Sequence, residues 1–126
     1  MIDDPAHAAA FAAQLAALRA QFVQRLEGAM AAFGTQLDCA ADQVPPAVLR
    51  EVHAQLHRLA GTGGTFGYAE LSRRARQLEA QAKEWLDAGV PGTGAEWEAW
   101  RTGVLGLRAW ADRADDVPGT APGQSA

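Results

Sequence analysis

Cysteine is almost absent from this chain. Cys39 stands alone, which excludes an internal disulfide framework and a cysteine-built metal site. A lone thiol fits a reducing, cytoplasmic setting. A basic surplus is missing too. The chain has 11 Lys and Arg against 15 Asp and Glu, a formal net charge of −4, so the basic face that nucleic acid requires is not expected. No stretch approaches the roughly eighteen uninterrupted apolar residues of a membrane span. The opening Met1-Ile2-Asp3-Asp4-Pro5 lacks the positive region and apolar core of a signal peptide. β-Branched residues are few and alanine is abundant, which favours helix over sheet. With 126 residues, 48% of them hydrophobic, one domain with an ordinary core is expected.

What is present is helical periodicity. Asp4-Pro5 reads as a helix start, with Pro5 at the first helical position. A stripe then runs through Phe11, Leu15, Leu18, Phe22, Leu26, Ala29, Phe33 and Leu37. It keeps helical period throughout, as one long helix or as a short one followed by a longer one, with Gly34 as its expected end. Phe22, Met30 and Phe33 fit core packing far better than a ligand-binding stripe. Residues 38–44 read as a loop, and Pro45-Pro46 opens a second helix to about Thr65. Gly67 turns the chain into a third, from Tyr68 to about Leu86, with Leu71, Ala75, Leu78, Ala82 and Trp85 on its inner face. Arg73, Arg76 and Lys83 are expected to point away. Thr93-x-x-Glu96 is a capping box for a last helix with the stripe Trp97, Trp100, Val104, Leu107 and Ala111. The expected fold is all-α: an antiparallel four-helix bundle, with or without a short extra N-terminal helix, over residues 1–113. Residues 114–126 have too little apolar content to order themselves.

The second helix carries the chemistry. At about 100° per residue, Leu49, Val52, Leu56 and Leu59 share one buried arc, continued by Gly63 and Phe66. His57 falls about 130° from its centre, so its imidazole is expected in solvent. Ala60, Gly61 and Gly64 follow on the histidine face, a patch with almost no side-chain cover that a second protein could approach. Glycine inside a helix costs roughly 1 kcal/mol against alanine, so Gly61, Gly63 and Gly64 call for a compensating close approach. Gly63, on the buried arc, is placed to meet a neighbouring helix.

The pattern His57-x-Leu59-x-Gly61, then Phe66-Gly67, Leu71 and Leu78-Glu79, resembles the signature of histidine phosphotransfer (HPt) domains. The resemblance spans about Leu18 through the last helix. It implies an HPt-type bundle, in which the N-terminal stripe would be two helices. It also implies a monomeric phosphocarrier rather than an enzyme with its own kinase domain. His57 would take the phosphoryl group from a receiver-domain aspartate in a multistep two-component relay and pass it to another receiver. The partners implied are response-regulator receivers and a sensor (hybrid) histidine kinase. Magnesium would sit on the receiver, and this chain would hold no cofactor. Gly67, Leu71 and Leu78 would be structural positions of the motif; His53, Ala60, Gly61 and Gly64 would face the docked partner. Many family members carry a basic residue three positions after the histidine, and here that position is Ala60. A base elsewhere, Arg50, Arg74 or Arg76, is the candidate substitute.

The residues themselves agree with that chemistry. Imidazole is a nucleophile that can hold a phosphoryl group on nitrogen, and an exposed imidazole is largely neutral near pH 7. No glycine-rich nucleotide loop followed by lysine appears, so ATP is not the direct donor. Two other readings stand beside this one. A bundle of the same shape can bind a receiver with His57 idle, as an adaptor. His53 and His57, four apart on one face, have a spacing that can bind a divalent ion, but no Asp or Glu-x-x-His partner appears at matching positions on the neighbouring helices. His7, in the alanine-rich start, has no functional context.

Overall fold

A computed structural model describes residues 5–90 and 92–112. Four α-helices account for most of them: α1 (Pro5–Gln36), α2 (Pro46–Thr65), α3 (Ala69–Ala88) and α4 (Gly94–Leu105). Short 3₁₀ turns follow α1 at Ala41–Gln43 and α4 at Leu107–Ala111. The expected boundary at residue 113 and the tail 114–126 lie outside the described residues.

Successive helices run antiparallel, as their cross-contacts show. His57 meets Glu79 and Ala60 meets Ser72 between α2 and α3. Trp97 meets Trp85, and Trp100 meets Leu78, between α4 and α3. Glu27 on α1 pairs with Arg108 after α4. The core is formed by Phe22, Leu26, Phe33 and Leu37 from α1 and its end, Leu49, Val52, Leu56 and Leu59 from α2, Leu71, Ala75 and Ala82 from α3, and Val104 and Leu107 from the C-terminal segment. Three tryptophans close one end. Trp97 stacks on Trp100 at 5.4 Å between centroids and tilts against Trp85 at 6.1 Å. A buried indole N–H needs an acceptor, and both find one: Trp97 Nε1 donates to the Cys39 carbonyl at 3.0 Å, and Trp100 Nε1 to the Leu78 carbonyl at 2.9 Å.

Local chemistry sets the helix ends. Pro46 occupies the first turn of α2, where its missing N–H is no loss. Thr93 and Glu96 form the expected capping box, with the Glu96 amide donating to Thr93 Oγ1 at 3.2 Å and the Thr93 amide to Glu96 Oε1 at 2.8 Å. Gly67, at φ 92°, turns α2 into α3 in a backbone region that side chains disfavour.

Three expectations need correction. The N-terminal stripe is one helix of 32 residues that continues past Gly34 to Gln36, so among the described residues it is not split into a short helix and a longer one. Its first turns are not core: Phe11 is 64% exposed and Leu18 38%. Phe22 packs against Tyr68, and Arg19 Nε donates to the Phe66 carbonyl at 2.8 Å. That places the end of α2 beside residues 19–22, so the earlier turns of α1 run past it. The last helix is also shorter than its stripe. It stops at Leu105, and Leu107 and Ala111 reach the core from the 3₁₀ segment after Gly106.

The stripe of α1 therefore divides into a structural half and a dispensable one. Leu26→Ala should lower the unfolding free energy by about 2–5 kcal/mol. Phe11→Ala should change it by no more than about 0.5 kcal/mol. Urea denaturation followed by circular dichroism measures both, and equal losses would show that the first turns of α1 are packed after all.

Candidate functional site

The tightest helix pair is α2 with α3, and small residues make it so. Ala60 is 2% exposed, and its carbonyl accepts the hydroxyl hydrogen of buried Ser72 at 2.7 Å. A β-carbon added to Gly63 would stand 3.0 Å from Leu71 Cδ2 and 3.4 Å from Phe22 Cζ. Gly63 thus takes the close approach expected of it. One helical turn before Ala60, on the rim of this contact, stands His57.

The His57 side chain is 74% exposed. Its Nδ1 lies 2.8 Å from Oε2 of Glu79 on α3. A carboxylate only accepts hydrogen bonds, so Nδ1 carries the hydrogen and Nε2 of a neutral ring is left with its lone pair. His53, one turn earlier, is 28% exposed and its Nε2 lies 3.7 Å from the same Glu79 oxygen. Glu79 itself is 19% exposed, which places the carboxylate inside the α2–α3 seam. These side chains border a hollow of about 360 Å³, with Ala60 and Gly61 on the α2 side and Arg76, Ala80 and Lys83 on the α3 side.

Two of the expected docking residues sit differently than the sequence suggested. Ala60 is not on the bare patch; it is the floor between two helices, because the α2–α3 approach covers the arc between His57 and the apolar stripe. Gly64 is exposed, but a β-carbon there would meet Ser72 Oγ at 3.3 Å, so it belongs to the rim of the helix contact. Gly61 does face open space. Gly67 makes its turn, Leu71 is fully buried, and Leu78 is half-buried against the core.

The cations also sort themselves. Arg76 and Lys83 point away from the core as expected and are exposed; both border the hollow with His57, and Lys83 also pairs with Asp87 at 2.9 Å. Arg73 and Arg74 are engaged by Glu70, and the Arg73 hydrogen bond in particular holds that carboxyl below its ordinary value against the cost of desolvation. Arg74 further lies over the Trp110 ring at 3.9 Å. Arg50 borders a separate hollow with Trp85 and Leu86. Of the candidate substitutes for a base at position 60, only Arg76 is at the site.

Glu79 is the residue that sequence reasoning missed, having appeared there only as part of a motif. A signal was available. A tight turn at Phe66-Gly67 makes an antiparallel hairpin whose paired positions sum to a near-constant value, and that pairing brings His57 opposite the 75–79 segment. Glu79 also supplies an acid beside the His53 and His57 pair. Among the described residues, however, no three His, Cys, Asp or Glu side chains form a group that could hold a metal ion. The arrangement is that of a nucleophilic nitrogen facing solvent, a carboxylate behind its ring and cations beside it.

A family model described as "Hpt domain" matches residues 5–110. No curated protein and no solved structure matches the chain significantly.

The two exposed glycines should respond differently to a methyl group. Gly61→Ala should raise stability by up to about 1 kcal/mol, the helix-propensity gain with no steric opposition. Gly64→Ala should gain less or lose stability, because Ser72 has to move off the Ala60 carbonyl. Thermal unfolding of the two variants tests this, and equal gains would show that Gly64 is clear of α3.

Proposed function

The chain belongs to the Hpt domain family, and from that premise we propose that it is a phosphocarrier of a multistep two-component phosphorelay, with His57 as the group that carries the phosphoryl. It would accept from a receiver-domain aspartate and deliver to another receiver, with a sensor (hybrid) histidine kinase at the head of the relay. The observation that carries this reading is the hydrogen bond of an exposed His57 through Nδ1 to Glu79, which leaves Nε2 free and accessible.

In the step proposed, the Nε2 lone pair attacks the phosphorus of the aspartyl phosphate. The N–P bond forms as the acyl P–O bond breaks, and the departing electron pair leaves on the aspartate carboxylate. No proton has to leave Nε2, because the ring hydrogen is on Nδ1. The ring becomes cationic as it is substituted, and the Glu79 carboxylate faces that charge. Phosphoryl transfer depends mainly on positioning and charge stabilisation. Arg76 and Lys83 supply positive charge from the α3 wall, in place of the basic residue that Ala60 lacks. The partner's magnesium would neutralise phosphoryl charge on the receiver side. His53, Gly61 and Gly64 border the surface on which the receiver would dock. No helix among the described residues is long and apolar enough to cross a membrane; the reading places the protein in the cytoplasm as a monomer, where receivers are met.

Incubation with a phosphorylated receiver domain should transfer acid-labile, alkali-stable label to this chain, and His57→Gln should abolish it with helical content unchanged. Glu79→Gln keeps the shape and removes the charge. It should slow transfer by roughly 10–100-fold, the equivalent of one hydrogen bond to a charged group. Full labelling of the His57→Gln protein would refute the assignment. Receiver binding without any label would select the adaptor role instead.

A further inference from the structure

Among the described residues, one buried side-chain polar atom has no hydrogen-bond partner: Nε2 of His53. Buried polar groups are almost always paired, and an exception calls for an explanation. The atom is aimed at Glu79, 3.7 Å from the oxygen that His57 already engages at 2.8 Å. That separation is too long for a hydrogen bond. It is short enough for one to form if the carboxylate turns, and the terminal torsion of a glutamate is soft. A turn of the carboxylate, combined with a small shift along the Glu79 side chain, can set one oxygen on each ring.

Resting on the reading of His57 as the phosphoryl acceptor, we infer that His53 is a positioning residue whose Nε2–H donates to Glu79, so that one carboxylate bridges two imidazoles four residues apart on α2. The other charged groups around the hollow make the role necessary. Arg76 and Lys83 stand on the same helix as Glu79 and border the same hollow. Both are long, flexible donors one turn from Glu79 along α3, with Lys83 also paired to Asp87. His53 and His57 hold it from the α2 side, with short and stiff side chains. With His53 in place, Glu79 is kept on the α2 face and the hydrogen of His57 stays on Nδ1. Without it, the free oxygen turns towards Arg76 or Lys83, the hold on Nδ1 loosens, and Nε2 carries the hydrogen for part of the time.

The test uses the full chain with ¹⁵N-labelled histidine and phosphoramidate as a small donor, which needs no docked receiver. In the wild type, His53 Nε2 should show the shift of a protonated, hydrogen-bonded ring nitrogen, and Glu79→Gln should move that resonance. His53→Leu should shift His57 towards a mixture of tautomers and slow labelling by about tenfold. His53→Gln, whose amide can donate in the same place, should recover most of both. Wild-type labelling and an unchanged His57 spectrum in His53→Leu overturn the inference, as does a His53→Gln protein that behaves like His53→Leu. If the leucine variant fails to fold, the wild-type spectrum still decides: an unprotonated His53 Nε2, or one indifferent to Glu79→Gln, overturns the bridge. Label found elsewhere than on His57 would count against the phosphocarrier reading alone, since the ring-nitrogen shifts report the bridge without any phosphoryl group.

Discussion

The hydroxyl of Ser72 reaches the Ala60 carbonyl at 2.7 Å only because nothing larger than a methyl group stands between α2 and α3 at that level. Ala60, Gly63, Gly64 and Ala75 are the residues that permit it. Interiors are packed densely enough that one added methylene is felt, so this seam fixes the separation and the register of the two helices together. The site depends on both. With the helices further apart, the Glu79 carboxylate would not reach His57 Nδ1. With the register slipped by one residue, Glu79 would rotate by about 100° around α3 and face another neighbour. The three helix-interior glycines, unfavourable for an isolated helix, become intelligible as the cost of that geometry, with Gly61 the exception that serves only the outer surface.

Sequence periodicity made the scaffold legible because the bundle buries its apolar stripes against one another. Leu49, Val52, Leu56, Leu59, Leu71, Ala75, Ala82, Trp85, Trp97, Trp100 and Val104 were all readable as inner positions, and all are buried. Ala60 was misread for a geometric reason. It lies between the apolar arc and the histidine, and a helical wheel does not say how wide the buried arc is; the width depends on how closely the neighbour comes. Phe11 and Leu18 erred the other way. They keep the period of the core but stand beyond the end of the helix that would cover them. Periodicity records what a residue could pack against, and the length of the adjacent element decides whether it does. Glu79 required the register of the hairpin, a tertiary quantity that no single helix encodes.

Charge around the site follows the same logic of availability. Seven arginines and one lysine lie on or beside α2 and α3 at Arg50, Arg58, Arg73, Arg74, Arg76, Lys83 and, from α1, Arg19 and Arg25, yet most are committed elsewhere. Arg19 caps the Phe66 carbonyl. Arg58 lies 3.7 Å from Glu51. Arg73 and Arg74 share Glu70. Exposed ion pairs of this kind add little stability, but each removes a cation from the set that can reach His57. At the hollow stand Arg76 and Lys83, on the opposite wall from position 60, and of these Lys83 is shared with Asp87 at 2.9 Å. Ala60 borders the hollow from the α2 side and brings no charge to it, so the positive charge there comes from α3.

A phosphoryl carrier faces opposing demands, since its nucleophile has to be open to a large partner and yet hold a fixed orientation. Exposure works against orientation, because a solvated imidazole turns freely and water competes for its hydrogen. On the proposed reading, the demands are divided here between two residues. His57 is open, while Glu79 sits largely shielded in the seam, where a hydrogen bond to charge is stronger than it is in bulk water. The shielded partner sets the aim of the exposed one. Its own position derives from α3, which is held to α4 by the Trp100–Leu78 hydrogen bond and by the contacts of Trp85 with Trp97 and Trp100. The aim of a ring nitrogen at the surface is therefore traceable through one carboxylate and one helix to the aromatic cluster between α3 and α4.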